Sequence, residues 1–163
     1  MSFAVKELRH DLAAWAGLVA LNNGNARETS LLTSDKFSRM IAAASVGTFI
    51  EPGAAILLAF AHDDAFDGGH FLWFRDRFET FLYIDRVIVA DSHRRRGLGR
   101  LLYADLFRRA SENGHSTIAC EVNAQPPNPT SDAFHAALGF VQIGIAGSFE
   151  VHGSSLVRAP VNF

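Results

Sequence analysis

Seven consecutive positions, Arg94-Arg95-Arg96-Gly97-Leu98-Gly99-Arg100, carry four guanidinium groups and two glycines. The apolar run Val87-Ile88-Val89 leads into them and an amphipathic stretch leads out, so the segment reads as a turn between a strand and a helix. Free N–H groups at a helix start and the positive end of its dipole both favour an anion. Gly97 and Gly99 let backbone approach that anion, and the arginines add forked donors suited to phosphate oxygens. A diphosphate is the natural guest. A solvated arginine surface is the plainer reading, but it leaves the coincidence of glycines and arginines unexplained. A nucleoside-triphosphate loop needs Gly-x-x-x-x-Gly-Lys-Ser/Thr, which is absent. A dinucleotide turn needs a third glycine where Leu102 stands, although Glu121 lies near the distance expected for a ribose contact.

The strand feeding this turn, Phe81 to Val89, holds an acid. Alternation puts Asp85 on one face with Tyr83, Val87 and Val89, and turns its neighbour Arg86 away as a poor partner. An acid in an apolar strand is costly unless paired or functional. Asp85 is therefore a candidate base or amine anchor, weighed against a structural salt bridge. Glu28, Glu79 and Glu121 are further acids that the sequence leaves unplaced.

Arg94-x-x-Gly97-x-Gly99 after an apolar strand resembles the coenzyme A signature of the GNAT N-acetyltransferase superfamily. A second block, Asn128-x-x-Ser131-x-x-Phe134-His135-x-x-Leu138-Gly139-Phe140, has the spacing of that family's next helix and strand. The two blocks span about Phe81 to Phe140, and residues 87–140 resemble the small, uncharacterised acetyltransferases of bacteria. The resemblance implies acetyl-CoA as cofactor, a V-shaped cleft between Phe81–Val89 and Thr117–Asn123, and a pantetheine arm along Val87, Ile88 and Val89. It further implies a diphosphate held by Arg94, Arg95, Arg96, Gly97, Leu98, Gly99 and Arg100. Family members often have proline where Asp91 stands, a small residue where Ser131 stands, and a tyrosine that helps the leaving thiolate where His135 stands. Histidine titrates nearer neutrality than tyrosine and can donate to sulfur. Asn128, Ser131 and His135 share one helix face and line the cofactor on this reading. His135 is then either catalytic or a wall of the cofactor site.

Positioning these residues requires an α/β (α+β) architecture. Asp11 is expected to cap a first helix with Leu12, Trp15, Leu18, Val19 and Asn22 on its buried face, ending at Asn22-Asn23-Gly24. Ser34 opens a second helix, with Phe37, Met40, Ile41 and Ala44 on one side and Gly47 as its stop. Val46–Ile50 and Ala54–Ala61 flank Glu51-Pro52-Gly53 as a hairpin. Asp63 to Gly69 is polar and glycine-bearing, the aromatic block Phe71-Leu72-Trp73-Phe74 after it is ambiguous, with a loop near the site as one reading, and Trp73, Phe74 and Tyr83 are either an acceptor wall or ordinary core packing. Leu98 to Asn113 forms a helix burying Leu98, Leu101, Leu102, Leu106 and Ala110, and Gly114 ends it. Thr117–Asn123 follows as a strand, then a proline-rich bend and a short helix capped by Asn128, with Pro129 first and Gly139 closing. Strands near Phe140–Ile145 and Phe149–Val157 complete a mixed sheet of about six to seven strands with helices on both faces. One domain covers 1–163.

Bulk properties agree with a folded chain: 48% of residues are hydrophobic and 20% charged. The formal net charge of −2 offers no global attraction to nucleic acid or an anionic membrane, and neither is expected as a partner. The longest apolar run, Ala54 to Ala61, is far short of the ~20 residues that cross a bilayer. A mixed-charge N-terminus lacks the order of a secretory signal, which points to the cytoplasm. Cys120 stands alone as a mid-strand apolar residue, and the histidine spacings give no metal site. The expected activity is acetyl transfer to a primary amine of a small molecule or peptide, with a homodimer left open. The rival is a non-catalytic acyl-CoA-binding sensor or interaction module.

Overall fold

Val46–Ile50 (β2), Ala55–Ala61 (β3) and Leu82–Val89 (β4) are apolar at almost every position, the pattern of strands covered on both faces. In the computed structural model, which describes residues 2–26, 29–124, 126–146 and 155–160, they lie side by side within a seven-stranded sheet. Val5–Glu7 (β1), Ile118–Asn123 (β5), Phe140–Ala146 (β6) and Ser155–Pro160 (β7) complete it in the order β1-β2-β3-β4-β5-β7-β6. Residues 149–154 of the expected last strand lie outside the described residues.

Helices cover both faces. Trp15–Gly24 (α1), Ser34–Ala43 (α2) and Gly69–Arg75 (α3) bury Leu18, Phe37, Ile41, Phe71 and Phe74 against Phe49, Ile56, Phe60 and Tyr83 on one side. Leu98–Glu112 (α4) and Pro129–Ala137 (α5) pack on the other, where Leu102, Tyr103 and Leu106 meet Leu57, Ile84 and Phe140. Each core removes several large side chains from water, at roughly 1.5–3 kcal/mol apiece.

Several local expectations change. Asp11 caps no helix: it sits between two 3₁₀ turns, Leu8–His10 and Leu12–Ala14, with no side-chain cap bond, and Leu12 is exposed. Thr33 caps α2 by accepting from the Lys36 N–H at 3.1 Å. Gly47 does not stop α2 but lies inside β2 opposite Leu58. Arg9 closes the helix instead, donating to the Ala44 and Ala42 carbonyls at 2.6 and 3.4 Å. The aromatic block is a helix, α3, because Phe71 and Phe74 turn to one core face. On α4, Leu101 is exposed and Tyr103 takes a buried place.

Two features of β4 create the site. Its parallel pairing with β5 spans only Leu82↔Ile118 and Tyr83↔Ala119, after which the strands part. On its other edge β4 bulges: Ile84 faces Ala59 and Arg86 faces Leu58, leaving Asp85 as the extra residue. The bulge shifts the strand's phase. Beyond it the Ala90 N–H donates to Ala54 O on the β3 side, so by alternation Ile88 turns its backbone groups to β3 and Val87 and Val89 turn theirs into the gap.

Candidate active site

The arginine turn becomes a nest of unsatisfied donors. Gly97 lies at φ 79 and Arg95 at φ 60, and no side chain caps α4. The first helical bond is Leu101 N–H to Gly97 O, so the amides of Leu98, Gly99 and Arg100 have no partner within the helix. Arg94, Arg95 and Arg100 are exposed and line the cleft beside them, with Arg94 also 3.0 Å from Asp91, whereas Arg96 is exposed but outside the lining. The two glycines do different work. A Cβ on Gly97 would meet nothing within 4 Å, and its need is conformational; a Cβ on Gly99 would stand 3.0 Å from the Phe134 ring, so Gly99 lets α5 approach α4.

From this nest a cleft of about 900 Å³ runs into the gap between β4 and β5. It is lined by Val87, Val89 and the turn on one side and by Glu121, Val122 and α5 on the other. Unpaired strand groups at Val87 and Val89 suit an extended amide-bearing chain, which pairs as an added strand would. Ile88 lines the gap too, yet its backbone serves β3. The amide donors, the guanidinium groups and this strand edge together match the diphosphate and amide arm of coenzyme A.

Asn128, Ser131 and His135 do share one face, and all three line the cleft. Asn128 caps α5 by accepting from Ser131 N–H at 3.1 Å. His135 is buried, its Nδ1 2.8 Å from Ser131 O and its Nε2 2.5 Å from the Tyr103 hydroxyl. A carbonyl only accepts, so Nδ1 carries the proton, and in the neutral ring Nε2 accepts from Tyr103. Tyr103, also in the cleft lining, stays a phenol: burial, then Cys120, raises its pKa well above the ordinary value.

The opposite face of the gap carries acids. The Glu121 carboxylate accepts from Tyr83 Oη at 2.7 Å and from His70 Nδ1 on α3 at 2.8 Å. Burial above all, then the Glu121 and Asp85 charges, holds the Tyr83 phenol well above its usual pKa. The rings of Tyr83 and Phe74 belong to the core, not to an open acceptor wall, while half-buried Trp73 packs on Gly144 and under the Arg77 guanidinium. Asp85 stays near Tyr83, whose phenol feels its charge, but past the bulge Val87 and Val89 pack with the other core. Arg86 is the partner of Asp85 after all, with Nε donating to Oδ2 at 2.7 Å. The same buried guanidinium donates to Asn22 at 2.6 Å, and Asn22 in turn donates to Ser30 O at 2.8 Å, tying β4 to the α1–α2 connection. Asn25 and Thr29 of that connection line the cleft. Glu28 lies outside the described residues.

A mixed sheet with a splayed parallel pair, a donor nest at the next helix and titratable groups at the fork fits an acyl-CoA-dependent transferase. The model of the acetyltransferase (GNAT) family matches residues 26–140, and the chain belongs to that family. Acetyl-CoA is its cofactor. The ribosomal-protein-S18-alanine N-acetyltransferase from Escherichia coli is similar in structure, with a TM-score of 0.69 at 15% identity over 98% of this chain and 93% of that one. A putative acetyltransferase from Salmonella typhimurium, solved with acetyl-CoA, gives 0.68 at 16% over 98% and 93%. Ard1 from Thermoplasma volcanium gives 0.74 at 12% over 100% and 99%. No curated protein matches the chain in sequence. Among the described residues no helix is long and apolar enough to cross a membrane.

Proposed function

We propose that the chain transfers the acetyl group of acetyl-CoA to a primary amine of a small molecule or peptide, with Glu121 as the base. The observation that carries this reading is the division of labour across the gap. Glu121 stands on the α3 side, just past the point where β4 and β5 part, and the Tyr103–His135 pair stands on the α4 side. When bound, acetyl-CoA supplies an acyl group activated as a thioester. An amine entering past Asn25 and Thr29 meets Glu121, whose two oxygens each accept one hydrogen bond and keep a lone pair for the amine proton. With acetyl-CoA bound, the amine proton would pass to Glu121 and on to solvent as the C–N bond forms, and the Tyr103 hydroxyl, turning from His135 Nε2, would donate its proton to the leaving sulfur and be reprotonated from solvent. Asp85, held by Arg86, serves as an anchor of the acceptor side and not as the base.

An amine panel of tripeptides with free N-termini, lysine and spermidine, incubated with acetyl-CoA and read by thiol release and product mass, tests the reading. At least one amine is acetylated, and Glu121→Gln lowers kcat by roughly 10²–10⁴-fold with unchanged acetyl-CoA affinity. Tight acetyl-CoA binding without product across the panel would instead support a binding module.

A further inference from the structure

We propose that His70 on α3 is a positioning residue that aims the Glu121 carboxylate and couples its proton transfer to the charge on His70. The inference rests on Glu121 as the base.

The argument begins with how α3 is held. This short helix lies between β3 and β4, and Phe71 and Phe74 are fully buried against Phe81 and Tyr83. Trp73 adds a contact with Gly144 of β6, so α3 spans the sheet across the fork and is pinned at both sides of it. His70, preceding Phe71, is thereby delivered to β5, where its Nδ1 lies 2.8 Å from Glu121 Oε1. Tyr83 reaches the other oxygen at 2.7 Å from β4. A carboxylate gripped at both oxygens by donors from two elements cannot rotate without breaking one bond. Its remaining lone pairs are aimed.

Charge follows from the same geometry. A carboxylate only accepts, so Nδ1 keeps its proton whether His70 is neutral or cationic, and the bond survives both states. Charged groups acting on His70 include Glu121 from β5 and Asp85 from β4. The hydrogen bond to Glu121 comes first, then the charges of Glu121 and Asp85; together they outweigh burial and hold the imidazole above its ordinary 6.5. Below that raised value an imidazolium sits 2.8 Å from the carboxylate that the amine proton must reach, and its charge repels that proton. Above it the positive charge is gone while the grip remains. Turnover therefore rises with pH through an ionisation of the pair.

Two variants separate grip from charge. His70→Asn keeps an amide donor near the Nδ1 position without a titrating charge, and His70→Phe keeps neither. Against the fastest amine among the tripeptides, lysine and spermidine, wild-type kcat should show an inflection above 6.5. His70→Asn should lose that inflection and keep most of the high-pH rate. His70→Phe should lose about tenfold in kcat at every pH, with acetyl-CoA affinity unchanged. A second arm needs no acceptor: in nitrogen-15 histidine NMR, His70 should titrate above 6.5 in wild type and fall in Glu121→Gln. This arm reads the pair even where no amine is acetylated, which keeps failure here distinct from failure of the proposed reaction. The proposal is overturned if Glu121→Gln leaves the His70 titration unchanged, or if His70→Phe preserves wild-type kcat and pH profile.

Discussion

His135 keeps its proton on Nδ1 because Ser131 O, 2.8 Å away, can only accept, and this decides what the other nitrogen does. Nε2 faces the Tyr103 hydroxyl, so on the proposed reading a proton given to the sulfur would come from a two-residue unit and not from the imidazole alone. His135→Phe removes the acceptor and leaves a buried phenol without it. We expect kcat to fall by roughly 10²–10⁴-fold with little change in acetyl-CoA affinity. His135→Tyr, which restores a hydroxyl at the same helical position, should recover part of the loss. Steady-state kinetics of both variants, paired with acetyl-CoA titration, checks this; wild-type turnover in His135→Phe would leave His135 as a wall of the site. The family position was legible from Asn128-x-x-Ser131-x-x-Phe134-His135, since spacing along one helix is local. Tyr103 was not, because its contact with His135 joins residues 32 apart in sequence.

The same contrast holds for elements. The donor nest, α4 and the capped start of α5 carry local signals in glycine, arginine, asparagine and proline, and the structure places them as the sequence suggests. The β4 bulge has no such signal: it exists only in the pairing of Asp85 and its neighbours with Leu58 and Ala59. Simple alternation therefore turned Arg86 away from Asp85 and put Val87 and Val89 on the Tyr83 face, whereas Arg86 bonds Asp85 and both valines pack with the other core. For α3, a continuous aromatic run is ambiguous until the core shows which rings it takes. The bulge also makes a prediction. Arg86 is buried and bonded to both Asp85 and Asn22, so Arg86→Met strands a partly buried carboxylate and frees the α1–α2 connection. The expected cost is about 3–5 kcal/mol of stability, measured by urea unfolding. A loss under about 1 kcal/mol would mean that solvent already screens the pair.

At the scale of the molecule, the sheet is the device. Six strand pairings hold it, five antiparallel and one parallel, and the parallel pair is the one that opens. On the proposed reading, the opening would offer a β4 edge to the cofactor and put Glu121 and the Tyr103–His135 pair on opposite faces, so donor and acceptor need not share an approach. A net charge of −2 leaves anion recognition to the exposed arginines at one end of the cleft. Apart from α3, the order of strands and main helices and the mixed sheet were readable from hydrophobic patterning; the length of the β4–β5 pairing, on which the cleft depends, is a property of two strands together. Residue-resolved amide hydrogen exchange with and without acetyl-CoA tests this account most directly. New protection should appear at Val87, Val89, Leu98, Gly99 and Arg100, whose amides face the gap or the nest, and not at Ile88, already turned to β3. Protection confined to other strands, or none with acetyl-CoA demonstrably bound, would contradict it.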